Sequence, residues 1–148
     1  MASYNGAMYI EKQLYSILDQ LKKNDQVIIV DDCSFDNTVN IVESLKDPRI
    51  KLFKNTKNIG VVETFNRALR NANGDIIFLS DQDDEWLDNK VSFIRNLFIS
   101  NNVDLIVHDA KISQGGSIVA NSLFGQIGSS DGLFKNIYSN SYTGCCMA

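Results

Sequence analysis

Residues 76–86 read IIFLSDQDDEW and join a short apolar run to a cluster of acidic side chains. The apolar run is too short for a helix and follows the turn-forming residues 73–75 (NGD), so it predicts a buried strand. This strand delivers three carboxylates to its C-terminal end: Asp81, Asp83 and Asp84. Carboxylates this close repel one another, and hard oxygen ligands suit Mg²⁺ or Mn²⁺. The stretch predicts a divalent-cation site, with a solvated acidic turn as the alternative.

Upstream of this stretch, the apolar pattern alternates between helix and strand. Residues 8–23 predict an amphipathic helix, whose polar face holds Glu11, Lys12, Gln13, Asp19, Gln20 and Lys22. Residues 27–30 form a continuous β-branched run, which is typical of a strand covered on both faces. A polar loop then leads into a second predicted helix at residues 37–46, with Ser34 or Asp36 as its cap.

The same alternation continues on both sides of the acidic stretch. Residues 50–53 predict a strand, and the following helix should turn Val62, Phe65, Leu69 and Ala72 inward and end at a left-handed residue supplied by Asn73-Gly74. A helix at residues 87–100 should bury Val91, Ile94, Leu97 and Phe98, and residues 103–108 predict another strand. Residues 117–122 suit one more strand, and residues 125–141 a loop with one short helix at 133–138. Alternating strands and helices predict an α/β fold with a mostly parallel sheet flanked by helices.

The bulk properties fit one soluble-type domain over residues 1–148. The chain is 44% hydrophobic, carries a formal net charge of -4 and contains no apolar run of membrane-spanning length. Its basic residues are scattered, which argues against nucleic-acid binding. Cys33, Cys145 and Cys146 lack metal-ligand spacing and predict small reduced core residues. A loop-like start at residues 2–6 and an apolar end at residues 143–148 predict a domain truncated at both ends.

Three polar loops should meet at one edge of the predicted sheet. In an open α/β sheet, ligands bind beyond the C-terminal ends of the strands. The loops at residues 2–5, 31–32 and 80–84 all have that position. They supply a tyrosine for stacking, a carboxylate that can accept from a base N–H, and a carboxylate cluster for a metal. The three loops together predict a nucleoside-diphosphate site, whereas a dehydrogenase site is disfavoured because no GxGxxG follows a strand.

Four motifs in this order and spacing resemble a known enzyme family. SYNG, VDDCSFDNT, NIG with the later FN, AL and GD, and FLSDQDDEW are similar to the inverting family 2 glycosyltransferases, which have the GT-A fold. The resemblance covers nearly the whole chain. SDQDDEW with the later His108-Asp109 most resembles the bacterial rhamnosyltransferase branch.

The resemblance implies a role for each matching residue. Asp32 accepts from the nucleobase imide, Asp31 is structural, and the base pocket is lined by Ala2, Ser3 and Tyr4. Asp81 lies near the ribose, Asp83 binds the metal that bridges the diphosphate, and Asp84 is a substitute ligand. The residues that border the donor are Asn58, Gly60 and Asn66, with an ordinary turn before a helix as the alternative for Asn58 and Gly60. Trp86 either walls the sugar pocket or packs in the core.

The resemblance also implies a reaction and its partners. A UDP- or dTDP-sugar donates its sugar with inversion to a glycan or lipid-linked acceptor, with Mn²⁺ or Mg²⁺ on the diphosphate. The catalytic base is expected downstream of Ala148, and neither His108 nor Asp109 matches its position. A non-catalytic nucleotide-sugar-binding module is the alternative. Bacterial polysaccharide biosynthesis is the expected setting, in the cytoplasm or at the inner face of the membrane.

Overall fold

The computed structural model describes residues 1–127 and 147–148 of the chain. Helices and strands alternate along most of this range. In chain order, the elements are β1 (Ala2–Ser3), α1 (Ile10–Leu18), β2 (Val27–Asp31), α2 (Thr38–Ser44), β3 (Ile50–Lys54), α3 (Val61–Asn71), α4 (Lys90–Ser100), β4 (Ile112–Gln114), β5 (Ser117–Ala120) and α5 (Leu123–Ile127).

The central sheet is parallel and has the order β1-β2-β3. Val30 of β2 pairs with Ala2 on one side and with Phe53 on the other. All five residues of β2 are buried, as expected for the middle strand of a parallel sheet. The α/β fold with a parallel sheet flanked by helices is confirmed. Residues 2–6 do not form a loop throughout, because Ala2 and Ser3 form the short strand β1.

Side chains of β2 alternate between two layers of helix. Val27 and Ile29 belong to a core cluster with Leu14 of α1 and Val42 of α2. Ile28 and Val30 pack on the opposite face with Ala68 of α3. Burying a Val or Ile side chain contributes roughly 1.5–3 kcal/mol relative to leaving it exposed. The sheet is therefore fixed between α1 and α2 on one face and α3 on the other, which sets the position of its loops.

Two predictions about helix faces are wrong. Gln13, predicted on the polar face of α1, is fully buried. In α3, Val62 and Leu69 are exposed, while Thr64 and Ala68 are the buried residues. Thr64 and Ala68 are four residues apart and so lie on one helix face, and their small side chains allow close packing on β2. Size and close approach determined the inward face of α3 more than hydrophobicity did.

The predicted left-handed end of α3 at Gly74 is also wrong. The helix ends at Asn71 and the next residue, Ala72, has extended backbone dihedrals. The described glycines with positive φ are Gly60, Gly115 and Gly116. α3 therefore leaves its last turn through an extended residue, and Gly74 serves no left-handed cap.

The strands predicted at residues 76–79 and 103–108 are not regular strands. Leu79 N–H donates to the carbonyl of Met147 over 3.2 Å, and Ile106 and Ala148 exchange two backbone hydrogen bonds of 2.9 and 3.0 Å. Val107 forms an isolated antiparallel bridge with Met147. An apolar run becomes a strand only when a neighbouring strand satisfies its backbone groups along its length. Within the described range, these two segments have only such isolated bonds.

The end of the described range contains an antiparallel hairpin. The strand predicted at residues 117–122 is β5, and its partner β4 was not predicted. The turn between them uses Gly115 and Gly116, both at positive φ.

The prediction that the cysteines lie in the core is wrong for Cys33, which is exposed. Several predictions fall outside the described residues: Cys145, Cys146, the helix at 133–138 and most of the loop at 125–141. Among the described helices, none is long and apolar enough to cross a membrane.

Candidate functional site

A cleft with a volume of about 370 Å³ lies at the C-terminal edge of the sheet. It is bordered by the loops after β1 and β2, the start of α3, and residues 80–89 before α4, which we call the acidic loop. The predicted site residues that line it are Ala2, Ser3, Tyr4, Asp32, Asn58, Gly60, Asp81 and Asp83. Residues far apart in sequence thus surround one cavity, as the strand-end rule predicts. Their individual binding roles stay predictions.

Asp32 organises the loop that precedes α3. Its Oδ1 accepts from the Asn55 amide over 2.7 Å and from Ile59 N–H over 2.9 Å, while Oδ2 accepts from Gly60 N–H over 2.9 Å. Burial alone would raise the pKa of Asp32, but these hydrogen bonds hold it below its ordinary value. The buried carboxylate is therefore ionised at neutral pH and most of its acceptor capacity is already used.

Hydrogen bonds also tie the loop after β1 to the loop after β2. Asn5 N–H donates to the Ser34 hydroxyl over 2.9 Å, and Ser34 in turn donates to Asp31 over 2.5 Å. Ala7 N–H donates to Asp36 over 3.0 Å, and Asp36 also accepts from Thr38 N–H at the start of α2. Asp31 is therefore structural, as predicted, and Asp36 rather than Ser34 bonds to the first N–H of the helix.

Tyr4 presents its ring beside the cleft. The side chain is 43% exposed, and its ring packs edge-on against Phe35, with centroids 6.1 Å apart and planes at 83°. Edge contacts of this kind hold a ring in place while leaving its face open. Tyr4 can therefore offer a flat surface to a planar ligand group.

Polar residues of α1 anchor the acidic loop. The buried amide of Gln13 donates to the Ser80 hydroxyl over 2.8 Å and to the Asp81 carbonyl over 3.2 Å. One turn later, Ser16 accepts from Trp86 N–H over 3.0 Å. Gln20 donates to the Leu87 carbonyl over 3.1 Å and accepts from Val91 N–H over 3.1 Å. α1 and Gln20, which follows its end, therefore fix the backbone of residues 80–91 at several points.

The carboxylates of the acidic loop repel one another, which favours a bound cation. Burial raises the pKa of Asp81, and repulsion from Asp84 and Asp83 raises it further. A cation placed between these carboxylates would relieve that repulsion. Within residues 1–127 and 147–148, no three His, Cys, Asp or Glu side chains converge on one metal position. Asp81 and Asp83 fit a Mg²⁺ or Mn²⁺ that takes its remaining ligands from water and a diphosphate.

Three predicted residues lie outside the lining of the cleft. Asp84 does not border it, whereas Asp81 and Asp83 do, and the role of Asp84 as a substitute ligand stays a prediction. Asn66 also lies outside, because Thr64 and Phe65 share one helix face with Val61, and Asn66 is about 100° further round. Trp86 is 7% exposed and packs in the core against Phe78, with ring centroids 5.4 Å apart, so it does not wall this cleft.

The cleft also contains residues that the sequence analysis missed, namely Val61, Thr64, Phe65 and Gln82. The spacing of Val61, Thr64 and Phe65, three and four residues apart, was a usable signal for a shared face. Gln82 gave no such signal, because a neutral residue between two acids draws no attention in a search for charged ligands. A second cavity, of about 590 Å³, lies between α3, residues 73–80 and Trp86, and holds none of the predicted donor or metal residues.

His108 and Asp109 have structural contacts. Asp109 accepts from Ala110 N–H over 2.8 Å and from Phe124 N–H at the start of α5 over 2.9 Å. The Phe124 bond contributes most to a pKa of Asp109 below its ordinary value. Burial lowers the pKa of His108, whose Nδ1 lies 2.9 Å from the Asp109 carbonyl. The contacts of Asp109 are those of a residue that holds the start of α5, whereas the buried Nε2 of His108 has no hydrogen-bond partner among the described residues.

Comparison with protein families identifies the chain. Residues 1–134 match the family described as Glycosyl transferase family 2. The chain belongs to that family. This confirms the resemblance carried by the four sequence motifs. Because the match begins at residue 1 and includes every residue that lines the cleft, the cleft lies inside the family 2 region.

Curated relatives of this family 2 chain include enzymes whose names give different sugar donors. It is 33% identical to the Escherichia coli UDP-Glc:alpha-D-GlcNAc-diphosphoundecaprenol beta-1,3-glucosyltransferase WfgD over 136 residues. This aligned region covers 92% of the chain and 54% of WfgD. The chain is 37% identical over 111 residues to the Shigella flexneri dTDP-rhamnosyl transferase RfbG, which covers 70% of the chain and 38% of the relative. The family 2 chain thus spans about half or less of the length of these relatives.

Solved structures similar to the family 2 chain confirm the GT-A fold. TarS 1-349 from S. aureus, in complex with UDP, superimposes with a TM-score of 0.72 at 27% identity over 77% of the chain and 35% of TarS 1-349. The mannosyltransferase PcManGT from Pyrobaculum calidifontis, in complex with GDP-Man and Mn²⁺, gives a TM-score of 0.67 at 28% identity over 75% of the chain and 34% of PcManGT.

Proposed function

We propose that this chain is the donor-binding part of an inverting, metal-dependent glycosyltransferase that uses a UDP- or dTDP-sugar. The observation that carries the proposal is the cleft, which brings Tyr4, Asp32, Asp81 and Asp83 around one cavity of about 370 Å³. A nucleoside diphosphate has the matching chemistry, with a flat base at one end and a charged diphosphate at the other. Family membership and the similarity to a UDP complex support this assignment.

Each end of the ligand has a counterpart in the cleft. The base would stack on the open face of Tyr4, between Ala2, Ser3 and Asp32. Asp32 accepts from Asn55, Ile59 and Gly60, and the Thr64 hydroxyl also bonds to it, so a base N–H would have to share one of its oxygens with these donors. Asn58 and Gly60 would border the donor on the α3 side.

The diphosphate end would lie at the acidic loop. Asp81, half-buried and close to the ribose, and Asp83, more exposed, would hold the metal. A bound Mn²⁺ or Mg²⁺ would neutralise the departing nucleoside diphosphate. The anchoring of this loop by Gln13 and Ser16 keeps the two carboxylates in place before ligand arrives. The similarity to a complex with GDP-Man and Mn²⁺ supports a divalent metal.

The reaction itself is a single displacement. A carboxylate base takes the proton of an acceptor hydroxyl, and the oxygen attacks the anomeric carbon from the face opposite the diphosphate. We place this base downstream of Ala148, as the family resemblance implies. Asp109 does not match the family's base position, and its Oδ1 is bonded to the N–H groups of Ala110 and Phe124.

The acceptor is proposed to be a glycan or lipid-linked sugar in polysaccharide biosynthesis. The relative WfgD is named for a diphosphoundecaprenol-linked acceptor, which supports a lipid-linked acceptor for this chain. Transfer of rhamnose rests on one relative, RfbG, and is the finer alternative to transfer of glucose. We place the protein in the cytoplasm or at the inner face of the membrane, where nucleotide sugars are available.

Calorimetric titration with UDP and dTDP tests the proposal. We expect tighter binding in Mn²⁺ or Mg²⁺ than in EDTA, because the metal offsets repulsion between the diphosphate and the acidic loop. Equal affinities in both buffers would remove the metal role, and the absence of binding would remove the donor site. A second candidate is a non-catalytic nucleotide-sugar-binding module, in which the same cleft would bind the donor without transfer. Sugar transfer to an added acceptor would exclude it.

A further inference from the structure

The side-chain amide of Gln82 forms a paired contact with the backbone of Tyr4. Gln82 Oε1 accepts from Tyr4 N–H over 2.9 Å, and Gln82 Nε2 donates to the Tyr4 carbonyl over 3.0 Å. Both polar groups of one peptide residue are therefore satisfied by one side chain. Because β1 ends at Ser3, this amide takes the place that a neighbouring strand would have beside the next residue.

Gly6 makes room for this contact. A Cβ atom at position 6 would lie 2.2 Å from Oε1 and 2.5 Å from Cδ of Gln82, far inside van der Waals contact. Gly6 is not among the glycines with positive φ, so its backbone conformation does not require glycine. The need for glycine here is one of space, created by the Gln82 amide.

Gln82 lies between the two halves of the cleft. Its neighbours in sequence are Asp81 and Asp83, which border the proposed diphosphate end, while Tyr4 belongs to the base end. On the other side of the loop, Gln13 holds the Asp81 carbonyl. The acidic loop is thus tied to α1 by Gln13 and to the base pocket by Gln82.

A neutral amide suits this position better than a carboxylate. An amide supplies one acceptor for Tyr4 N–H and one donor for the Tyr4 carbonyl, whereas a carboxylate supplies acceptors alone. A further negative charge at position 82 would also add to the repulsion among the carboxylates of the neighbouring aspartates. The pairing geometry therefore distinguishes Gln from Glu at position 82.

We propose that Gln82 is a positioning residue that couples the base end of the cleft to its diphosphate end through the backbone of Tyr4. This inference rests on the proposed function. When the two Gln82–Tyr4 hydrogen bonds are present, a base stacked on Tyr4 fixes the distance of Asp81 and Asp83 from the diphosphate. Without these bonds, each end of the cleft still binds its own part of the ligand, but the gain in affinity from binding both parts together is reduced.

The test compares UDP, which would reach both ends of the cleft, with uridine, which has the base and ribose but lacks the diphosphate. Affinities are measured by calorimetry in Mn²⁺ and in EDTA for the unaltered chain, Gln82→Ala and Gln82→Glu. We expect Gln82→Ala to reduce the Mn²⁺-dependent gain in UDP affinity about three- to tenfold, as for the loss of two exposed hydrogen bonds, and to change uridine affinity less than about twofold. Gln82→Glu should not restore the gain. Gln114→Ala removes an exposed amide outside the cleft and should match the unaltered chain.

A double-mutant cycle with Gly6 isolates the packing contact. Gly6→Ala should lower the Mn²⁺-dependent gain because the new methyl group displaces the Gln82 amide. In the Gln82→Ala background the same change should have little further effect. Melting temperatures of all variants identify any that fail to fold, and Gln82→Glu, nearly the same size as Gln, keeps the test valid if Gln82→Ala is unstable.

Each outcome decides a separate question. If UDP fails to bind the unaltered chain, the proposed function is wrong. If UDP binds with a metal-dependent gain that Gln82→Ala and Gln82→Glu both leave unchanged, the coupling role of Gln82 is wrong and the donor site stands. Equal losses from Gly6→Ala with and without Gln82 would overturn the packing argument.

Discussion

The side-chain amide of Gln13 donates to the hydroxyl of Ser80 over 2.8 Å, and both residues are buried. One partner lies in the middle of α1 and the other begins the acidic loop, 67 residues later. A buried amide is costly unless its hydrogen bonds are made, so this pair specifies one position of the loop relative to the helix. The arrangement of the proposed metal ligands therefore depends on a helix that contributes no side chain to the cleft.

Replacing Gln13 with Leu should destabilise the protein. Leu fills a similar volume but leaves the Asp81 carbonyl and the Ser80 hydroxyl without their buried donor, at a cost of about 1–3 kcal/mol. Urea unfolding measures the change. Lys12→Ala on the same helix is the control, because its ion pair with Glu85 is exposed and should contribute less than about 1 kcal/mol. An equal loss from Lys12→Ala would contradict the anchoring role.

Asp83→Asn should weaken UDP binding in Mn²⁺ and leave binding in EDTA nearly unchanged. Loss of a charged ligand should reduce the metal-dependent affinity about ten- to a hundredfold. Asp109→Asn is the matched control, since Asp109 bonds to Ala110 and Phe124 and lies outside the cleft. If Asp109→Asn reduced the metal-dependent UDP affinity more than Asp83→Asn, the proposed position of the metal in the acidic loop would be wrong.

Gly60→Ala should be more harmful than Gly74→Ala. Gly60 has φ of 86° and ψ of 160°, a region that is essentially reserved for glycine, so alanine should cost about 1–3 kcal/mol even though no atom lies near its Cβ. At Gly74, φ is not positive and the nearest atom to a Cβ is the Ile76 carbonyl oxygen at 3.5 Å, an ordinary contact. Unfolding free energies compare the two variants. Equal costs would show that neither backbone geometry matters.

The stability contribution of Asp32 should disappear in acid. Its pKa is lowered in the folded protein, so the contribution is complete above the unfolded pKa of about 3.9 and is lost as pH falls through the folded value. Asp32→Asn removes this contribution at all pH values. The difference in unfolding free energy between the two proteins should therefore be largest near neutral pH and shrink below about pH 4. A difference that stays constant from pH 7 to pH 3 would contradict the assignment.

The hydrophobic pattern of a segment correctly predicted elements such as β2, whose burial follows from its own residues. The β-branched run of β2 predicted a fully buried central strand, because few other environments accept four such residues in sequence. The runs at residues 76–79 and 103–108 failed as strand predictions because strand formation depends on backbone partners elsewhere in the chain. Hydrophobicity along one segment carries no information about those partners.

For the site, the rule that ligands bind beyond strand ends brought the right loops together, whereas individual contacts were beyond its reach. Asp81 and Asp83 were found from their charge. Gln13 and Gln82 were missed because amides on a polar face or between acids look like solvated residues until the opposite partner is known. Buried hydrogen-bond partners are a property of three-dimensional packing and leave no periodic trace in the sequence.

Apart from the Gln13–Ser80 bond, the hydrogen bonds by which α1 and the turn after it anchor the acidic loop are directed at main-chain atoms. Gln13 bonds to the carbonyl of Asp81, Ser16 to the N–H of Trp86, and Gln20 to the carbonyl of Leu87 and the N–H of Val91. Main-chain atoms are the same for every amino acid except proline. Side chains of the loop other than Ser80, whose hydroxyl accepts from Gln13, can therefore be exchanged without releasing the loop from the helix. Libraries that seek a new sugar or metal preference can randomise Asp84 and Glu85 freely, provided that α1 is kept and proline is excluded from the bonded positions.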